Sequence, residues 1–424
     1  MTDLCDGPLT GVKVVDLTIA IQGPHAAAYL ADMGADVIKV ERPGGELNRY
    51  VHGLGFAPPP GVQGTQFVAM NRNKRGIVLD AHSELGRELL RRLLAEADVF
   101  VTNYRHEALV RMGLAYADLS ATNPRLVHAR VSGFGPSGPH AGKAMLDGAA
   151  QARSGLTAMS GPADGMPMPP GAAVADHGGS MQLALAVMTA LYARERTGRG
   201  QEVNTSALGA MMWLQAWEIA HTSMSTATLH RAGQYNANIQ CPYGVYETSD
   251  GGAFLLAVAM SNESWDAFWL FADRPEPLLD ERWDNGPKRI GARGSADGVD
   301  EIRRMMVEAF ASKTSAQWEE FLMSEPEIIY ERVQNYNELL DDPQVAANGY
   351  VAEVAVDGFG VAKVVTNVVH LSDTPGSGVR RPAPALGQHT AEVMAELGFS
   401  QPEIDIVVAQ NAGVAEAVRA LIFR

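Results

Sequence analysis

Short apolar runs alternate with helical patterns along the first half of the chain. Five runs rich in β-branched residues predict buried strands, at residues 12–18, 35–41, 75–80, 98–103 and 125–133. Helical patterns separate them, as at residues 23–34 and 83–97, where a stripe of leucines recurs at helical spacing. Strands that alternate with helices predict an α/β fold with a parallel sheet covered on both faces. Ligands of such sheets bind beyond the carboxyl ends of the strands.

The pattern changes from about residue 211. All six tryptophans lie between residues 213 and 318. Residues 243–258 predict a hairpin, and helical patterns occupy residues 263–272, 300–312 and 315–323. We therefore predict a second, smaller domain over residues 211–330. A strand pair at 350–365 and helices within 382–400 and from 402 complete the prediction.

One carboxylate stands out in the segment PPGAAVADHGGSMQLALAVMTALYARERTGRGQ, residues 169–201. Asp176 lies among small apolar residues just before an apolar helical pattern. It has two interpretations: a residue that caps the helix, or a functional carboxylate in a partly dry place where pKa values shift. Gly178 and Gly179 would let a substrate or another backbone approach closely. The segment alone leaves both interpretations open.

Composition limits the classes of partner and site. The net charge of −15 over 424 residues argues against nucleic-acid binding. The two cysteines, Cys5 and Cys241, are far apart and lack metal-ligand spacing, so we expect no metal site and a reducing, cytoplasmic location. The N-terminal residues lack a signal-peptide pattern, and the most apolar helix, around 181–193, is too short for a bilayer, so no membrane association is expected.

Basic residues lie at or near several predicted strand ends. QGP at 22–24 follows a strand and opens a helix, as a dinucleotide fingerprint does, but G-x-G-x-x-G is absent. Cations on separate loops suit a ligand with several phosphates instead, and the alternative is that each is a solvated surface charge. The set comprises Arg42, Arg72, Lys74, Arg75, Arg105 and Arg111.

Ordered motifs along the chain resemble those of family III CoA-transferases, the formyl-CoA and carnitine CoA-transferase group. They are GVKVVDLT…GP…LADMGADVIKVERPGGE, NRNKRGIVLD, DVFVTNYR…LVRMGL…NPRLVHARVSGFGPSGP, ALYARERTGRGQEV and APALGQHTAEVMAELGFS. The likeness extends from about residue 8 to residue 400. It implies a Rossmann-like large domain built from both chain ends, here residues 1–210 and 331–424, with a small middle domain between them, and an interlocked homodimer.

The resemblance also implies an active site. Asp176 matches the family's catalytic aspartate, which lies just before the helix that precedes RERTGRGQ. The resemblance implies coenzyme A thioesters as substrates, with no permanently bound cofactor, and a carboxylic acid as the second partner. The positions that match the family's CoA-binding loops are Ala20, Ile21, Gln22, Arg42, Lys74, Arg75, Asn103, Tyr104, Arg111 and Met112.

Two departures qualify the resemblance. RAGQYNANIQCPYG stands where the formyl-CoA branch carries a glycine-rich lid, so a lid is not transferred. Related acyl-CoA racemases have a histidine directly before an aspartate where this chain has Leu146 and Asp147. That departure favours CoA transfer over the alternative, racemase, epimerase or isomerase chemistry. Asp147 is left with two readings: an accessory group near Asp176, or an acceptor of backbone hydrogen bonds.

The expected chemistry is covalent. Asp176 would attack the donor thioester and form an aspartyl anhydride, and the CoA thiolate would then form an aspartyl thioester that passes CoA to the second acid. Anhydrides hydrolyse, so such a site must exclude water, as the apolar neighbours of Asp176 suggest. Backbone N–H groups near Gly178 and Gly179 are the predicted donors to the oxyanions.

Overall fold

In the computed structural model, residues 7–59, 61–225, 228–239, 241–257, 261–290, 298–376 and 378–422 are described. Cys5 lies outside these residues. The chain divides into two compact units. The first comprises Met1–Gln151, Ala172–Leu214 and Leu340–Arg424, and the second comprises Ala152–Gly171 and Gln215–Leu339.

A six-stranded parallel sheet forms the centre of the first unit, in the order β3-β2-β1-β4-β5-β6. The predicted α/β fold with a parallel sheet is therefore confirmed. The inner strands are buried on both faces because helices cover the sheet on each side. The strands are β1 (Lys13–Leu17), β2 (Asp36–Glu41), β3 (Arg75–Val78), β4 (Val99–Thr102), β5 (Val127–Ser132) and β6 (Glu202–Ser206).

Helices of the first unit pack on the sheet in two apolar clusters. One cluster joins α1 and α8 to the sheet, and the other joins α3, α17 and α18 to its opposite face. The helices are α1 (Gln22–Asp32), α2 (Thr65–Met70), α3 (Glu84–Glu96), α4 (His106–Met112), α5 (Tyr116–Thr122), α6 (Asp147–Ser154), α8 (Val174–Thr197), α9 (Ala207–Leu214), α16 (Pro343–Ala347), α17 (Thr390–Glu396) and α18 (Gln401–Ile422). Leu47–Arg49 forms a 3-10 helix.

The last part of the chain returns to the first unit. Strands β10 (Val351–Val356) and β11 (Gly360–Val365) form the predicted antiparallel pair. Val393 and Met394 of α17 then pack into the same cluster as Ile77 of β3. The hydroxyl of Thr390 accepts a hydrogen bond of 3.0 Å from the backbone N–H of Val78, which ties this return segment to the sheet.

The second unit has an aromatic core. Trp265, Trp269 and Trp318 are fully buried in it, against a three-stranded antiparallel sheet. Its strands are β7 (Gly244–Glu247), β8 (Ala253–Leu256) and β9 (Tyr330–Arg332). Its helices are α7 (Leu156–Met159), α10 (Ala216–Met224), α11 (Asn262–Phe271), α12 (Gly286–Arg289), α13 (Val299–Ala311), α14 (Ser315–Ser324) and α15 (Tyr336–Leu340), with a 3-10 helix at Glu276–Leu279.

The boundaries of the units differ from the expected domains in three respects. Residues 152–171 and 331–339, which we placed in the large domain, cluster with the second unit, and residues 211–214, which we placed in the middle domain, cluster with the first. Proline and glycine make up seven of the twelve residues at 160–171, and this composition was an available signal of a boundary there. None of the described helices is long and apolar enough to cross a membrane.

Candidate active site

A cleft of about 300 Å³ opens at the carboxyl edge of the parallel sheet, within the first unit. The ends of β4 and β5, the start of α1 and the first turn of α8 border it, as expected for a parallel sheet. The lining residues used below are Ala20, Gln22, Asn103, Tyr104, Arg105, Arg130, Lys143 and Asp176.

Asp176 is the third residue of α8, not its capping residue. The residue before the helix is Ala173, whose side chain makes no capping hydrogen bond. The carboxylate of Asp176 makes no hydrogen bond to the first N–H groups of the helix, since those of Ala175 and Asp176 bond to Asp147 instead. The capping interpretation of Asp176 is therefore wrong.

Asp147 supplies the missing cap from α6. Its Oδ1 accepts hydrogen bonds from the backbone N–H groups of Ala175 at 2.8 Å and Asp176 at 3.1 Å. Its Oδ2 accepts from the side-chain amide of Gln151. A carboxylate at a helix N-terminus satisfies orphan donors and interacts favourably with the helix dipole. The interpretation of Asp147 as an acceptor of backbone hydrogen bonds is thus what the geometry shows.

The Asp176 carboxylate is held in a dry place. The residue is only 8% exposed, and its side chain has no hydrogen-bond partner among the described residues. Burial, and then the nearby negative charge of Asp147, raise its pKa to about 6. A desolvated carboxylate without hydrogen bonds is a stronger nucleophile than a solvated one, and a raised pKa at a cleft marks a functional group.

The side-chain amide of Gln22 packs against α8, the helix that carries Asp176. Gln22 is 5% exposed, and its Nε2 is buried without a hydrogen-bond partner among the described residues. Nε2 packs against the backbone of α8, where a Cβ on Gly179 would clash with it. The hydroxyl of Ser180 donates to the Gln22 carbonyl at 2.8 Å and fixes this approach of α1 to α8.

This packing corrects the predicted role of the two glycines. Gly178 and Gly179 lie beyond the first turn of α8, where N–H groups bond to carbonyls four residues earlier. Their amides are therefore not oxyanion donors. Gly179 instead makes room for Gln22, and Gly178 makes room for the side chains of Met211 and Leu214.

Two of the predicted phosphate-binding cations are internal. Lys74 is fully buried, and its ammonium donates to Asp16 at 2.8 Å, to the Pro24 carbonyl and to Asn71. Burial lowers the pKa of Lys74 to about 8. Arg72 is paired with Asp32 at 2.6 Å. These side chains hold the loop between α2 and β3 against the sheet.

Arg75 lies at the opposite edge of the sheet from the cleft. It begins β3 and pairs in register with Ile38 near the start of β2, so it is at the amino ends of the parallel strands. Its guanidinium bonds three carboxylates, those of Asp36, Glu392 and Glu396. The placement of Arg75 among the strand-end loops is wrong, because it precedes its strand rather than following it.

The remaining predicted CoA-binding residues divide into two groups. Ala20, Asn103 and Tyr104 line the cleft together with Gln22. Asn103 exchanges two hydrogen bonds with the backbone of Ile19, at 2.7 and 3.0 Å, which joins the loop after β1 to the loop after β4. Outside the lining, Ile21 precedes α1, and Arg42, Arg111 and Met112 are exposed.

Ala20 adopts a left-handed backbone conformation with φ of 68°, which is uncommon for a residue other than glycine. Its N–H donates to the carboxylate of Glu46 at 2.9 Å. Strained backbone of this kind persists where the surroundings fix it, and it clusters at functional sites.

Sequence reasoning missed two cations of the cleft. Arg130 is on β5 and is 8% exposed, and Lys143 is an exposed residue of the loop that follows β5. Arg130 interrupts the apolar run LVHARV, and a charge within a buried strand was the available signal. Arg105, one of the cations on the strand-end loops, also lines the cleft.

Comparison with known proteins gives one family. The model of CoA-transferase family III matches residues 9–390. The chain is 30% identical over 390 residues to the human succinyl-CoA:glutarate CoA-transferase, a match that covers 92% of this chain and 86% of that protein. It is also 30% identical over 398 residues to the (R)-2-hydroxy-4-methylpentanoate CoA-transferase of Clostridioides difficile, covering 94% and 97% of the two chains.

A solved structure has the same architecture. The crystal structure of a CAIB/BAIF family protein from Brucella suis superposes with a TM-score of 0.80 at 30% identity, covering 92% of this chain and 100% of the other.

Proposed function

Because the chain belongs to CoA-transferase family III, we propose that it transfers CoA from an acyl-CoA thioester to a carboxylic acid through covalent intermediates on Asp176. The observation that carries the proposal is the Asp176 carboxylate, buried at the cleft and without a hydrogen-bond partner among the described residues.

The exchange takes four steps. An oxygen of Asp176 attacks the thioester carbonyl and the C–S bond breaks, which gives an aspartyl–acyl anhydride and CoA thiolate. The thiolate attacks the aspartyl carbonyl and releases the donor acid as its carboxylate. The acceptor carboxylate attacks the aspartyl thioester and regenerates thiolate and an anhydride. The thiolate then attacks the acceptor's acyl carbon, which yields the new thioester and free Asp176.

Each step places negative charge on a carbonyl oxygen, and Gln22 is the donor best placed to stabilise it. The first-turn N–H groups of Ala175 and Asp176 are already bonded to Asp147. Gln22 borders the cleft, and its buried Nε2 bonds no described residue. A rotation of this amide presents its N–H to the cleft. Removing one such donor costs about 3 to 4 kcal/mol of barrier in other enzymes.

We assign recognition of the CoA ester to the loops that follow β1 and β4, which Asn103 joins. We propose that Ala20, Asn103 and Tyr104 contact the thioester arm within the cleft. Exposed Arg42 and Arg111, with Met112 and Ile21, are proposed to face the phosphates and the adenosine end. Exposed cations bind phosphate through charge-assisted contacts that weaken as salt rises.

The rate of transfer should fall in acid with a midpoint near pH 6. The nucleophile must be deprotonated, and the raised pKa of Asp176, about 6, sets the pH at which half of it is protonated. Asp147→Asn removes a negative charge that contributes to the rise, so the midpoint should move to lower pH. Measurement of kcat/KM for the acyl-CoA between pH 4.5 and 8 checks both profiles. A wild-type profile that is flat through pH 6, or an unmoved midpoint in the variant, contradicts the electrostatic account.

We also propose that the protein is a homodimer. Met181, Leu185 and Tyr192 are 60–73% exposed along one face of α8, and Trp213 of α9 is 75% exposed beside them. Monomers rarely leave so many large apolar side chains together in water. Sedimentation should give twice the 45.3 kDa of the chain. An active monomer would refute the proposal.

A cytoplasmic location is proposed on chemical grounds. Cys241, the cysteine that the structure describes, is buried and unpaired. Thioester exchange also requires free thiolate, which oxidising compartments remove.

The decisive assay mixes an acyl-CoA with a panel of carboxylic acids and follows the appearance of a second acyl-CoA. Transfer that requires both substrates supports the proposal. Exchange of the α-proton with deuterated water in the absence of any acid would indicate racemase chemistry instead.

A further inference from the structure

Arg130 is a buried cation with no anion. It is 8% exposed, yet no carboxylate among the described residues lies within ion-pair distance of its guanidinium. Its Nε donates to Oδ1 of Asn204 at 3.0 Å, and no other hydrogen bond of its guanidinium to a described residue is found. Other buried arginines of this unit are paired: Arg49 with Glu41, Arg72 with Asp32, and Arg194 with Asp98.

A buried charge without a partner is costly, and natural proteins normally pair it. Asn204 faces Arg130 directly across β5 and β6. It occupies Nε, fixes the plane of the guanidinium and leaves both terminal nitrogens for a ligand. A planar fork with two free N–H groups matches a carboxylate, which it can bind with two parallel hydrogen bonds.

The position of Arg130 indicates which anion it meets. It lines the same cleft of about 300 Å³ as Asp176. In a CoA ester the long pantetheine arm separates the phosphates from the thioester carbon. Arg105 and Lys143 line the same cleft but are exposed, so they suit anions nearer the solvent. Arg130 is the buried cation of the three, and we therefore assign the acyl group to it.

We propose that Arg130 binds the second carboxylate of a dicarboxylic acid whose first carboxylate reacts at Asp176. Arg130 is thus a specificity-determining residue, and the acceptor acids are diacids. This rests on the proposed CoA transfer. Relatives are named for both a diacid and a monocarboxylic hydroxy acid, so membership of the family does not decide the class.

The test compares a five-carbon diacid with the five-carbon monoacid as acceptors, with one fixed acyl-CoA donor. In the wild type, kcat/KM should favour the diacid. Arg130→Met should raise the KM of the diacid about ten- to a hundredfold and leave that of the monoacid unchanged, because only the diacid loses a charge-assisted pair. Arg130→Lys should recover part of the loss, since it restores charge without the fork.

The outcomes separate the two proposals. Transfer to neither acid, nor to others in the panel, by the wild type would reject CoA transfer itself. Equal use of both acids by the wild type, or an equal rise in both KM values in Arg130→Met, would reject the role of Arg130 and leave transfer standing. A rise confined to the KM of the acyl-CoA would assign Arg130 to CoA.

If Arg130→Met does not fold, two measurements remain. Arg130→Lys is tested against the same pair of acids and should show a smaller loss of preference for the diacid, because it keeps the charge without the fork. The thermal midpoint of the wild type should also rise more with the diacid than with the monoacid at equal concentration, because binding to the folded state stabilises it. Equal shifts would overturn the proposal.

Discussion

Asp176→Asn is expected to abolish CoA transfer and to stabilise the fold above pH 6. The amide is nearly the same size as the carboxylate but is a poor nucleophile, and loss of a covalent nucleophile lowers kcat by at least about a thousandfold in other enzymes. The pKa of Asp176 in the folded protein, about 6, is above its ordinary value of 3.8. Folding therefore disfavours the charged form, so the wild type loses stability as the pH rises through the pKa of the folded state. Asp176→Asn stays neutral and does not lose this stability.

The gain in the free energy of unfolding should be about 3 kcal/mol at pH 8. The rise of the pKa from 3.8 to about 6 corresponds to this free energy, and it already contains the interactions of the charged form with its surroundings. Below pH 4 the two proteins should be equally stable. Urea unfolding at both pH values measures the difference, and an intact-mass check excludes deamidation to aspartate.

A covalent label supplies the positive control. After incubation with acyl-CoA, the wild type should carry an adduct on the peptide that contains Asp176, trapped by borohydride or hydroxylamine, and Asp176→Asn should carry none. Asp147→Asn, which alters the neighbouring carboxylate only, should still be labelled. Residual transfer in undeamidated Asp176→Asn, or an adduct at another residue, would remove Asp176 from the mechanism.

Most of the sheet could be predicted from the sequence, because the local pattern of each strand agrees with its buried environment in the fold. The run VKVVDLT predicts a strand at residues 12–18, and β1 occupies Lys13–Leu17, buried on both faces. Short polar helices were missed for the opposite reason. Helix α6 begins at Asp147 in a segment without an apolar stripe, and its side chains bond to the start of α8, which lies more than 25 residues further along the chain.

The residues of the candidate site could be predicted only in part, because the sequence does not show at which end of a strand a residue lies. Arg75 and Lys74 are adjacent, yet one bonds carboxylates at the amino edge and the other is buried against Asp16. Gly179 was predicted to let a substrate or another backbone approach, but the group that approaches it is the side chain of Gln22 from α1. Non-local contacts of this kind have no signature within a single segment.

Lys74→Met is expected to destabilise the protein by about 3 to 5 kcal/mol, because it leaves Asp16 charged and fully buried without its partner. The midpoint of urea unfolding should fall accordingly. The KM for the acyl-CoA, measured well below that midpoint, should stay unchanged. Asp16→Asn in the same chain removes the stranded charge and should restore much of the stability, since the two changes are coupled through one ion pair.

Arg111→Ala is the control for Lys74→Met, and the opposite pair of effects is expected of it. Its guanidinium is exposed in the last turn of α4, so the unfolding midpoint should hardly move, while the KM for the acyl-CoA rises and the rise shrinks as salt is added. If instead Lys74→Met unfolds normally and raises the KM for the acyl-CoA, the buried ammonium must leave Asp16 to reach phosphate. We expect some cations to stabilise the fold and others to bind the acyl-CoA. That division would then be wrong, because Lys74 would do both.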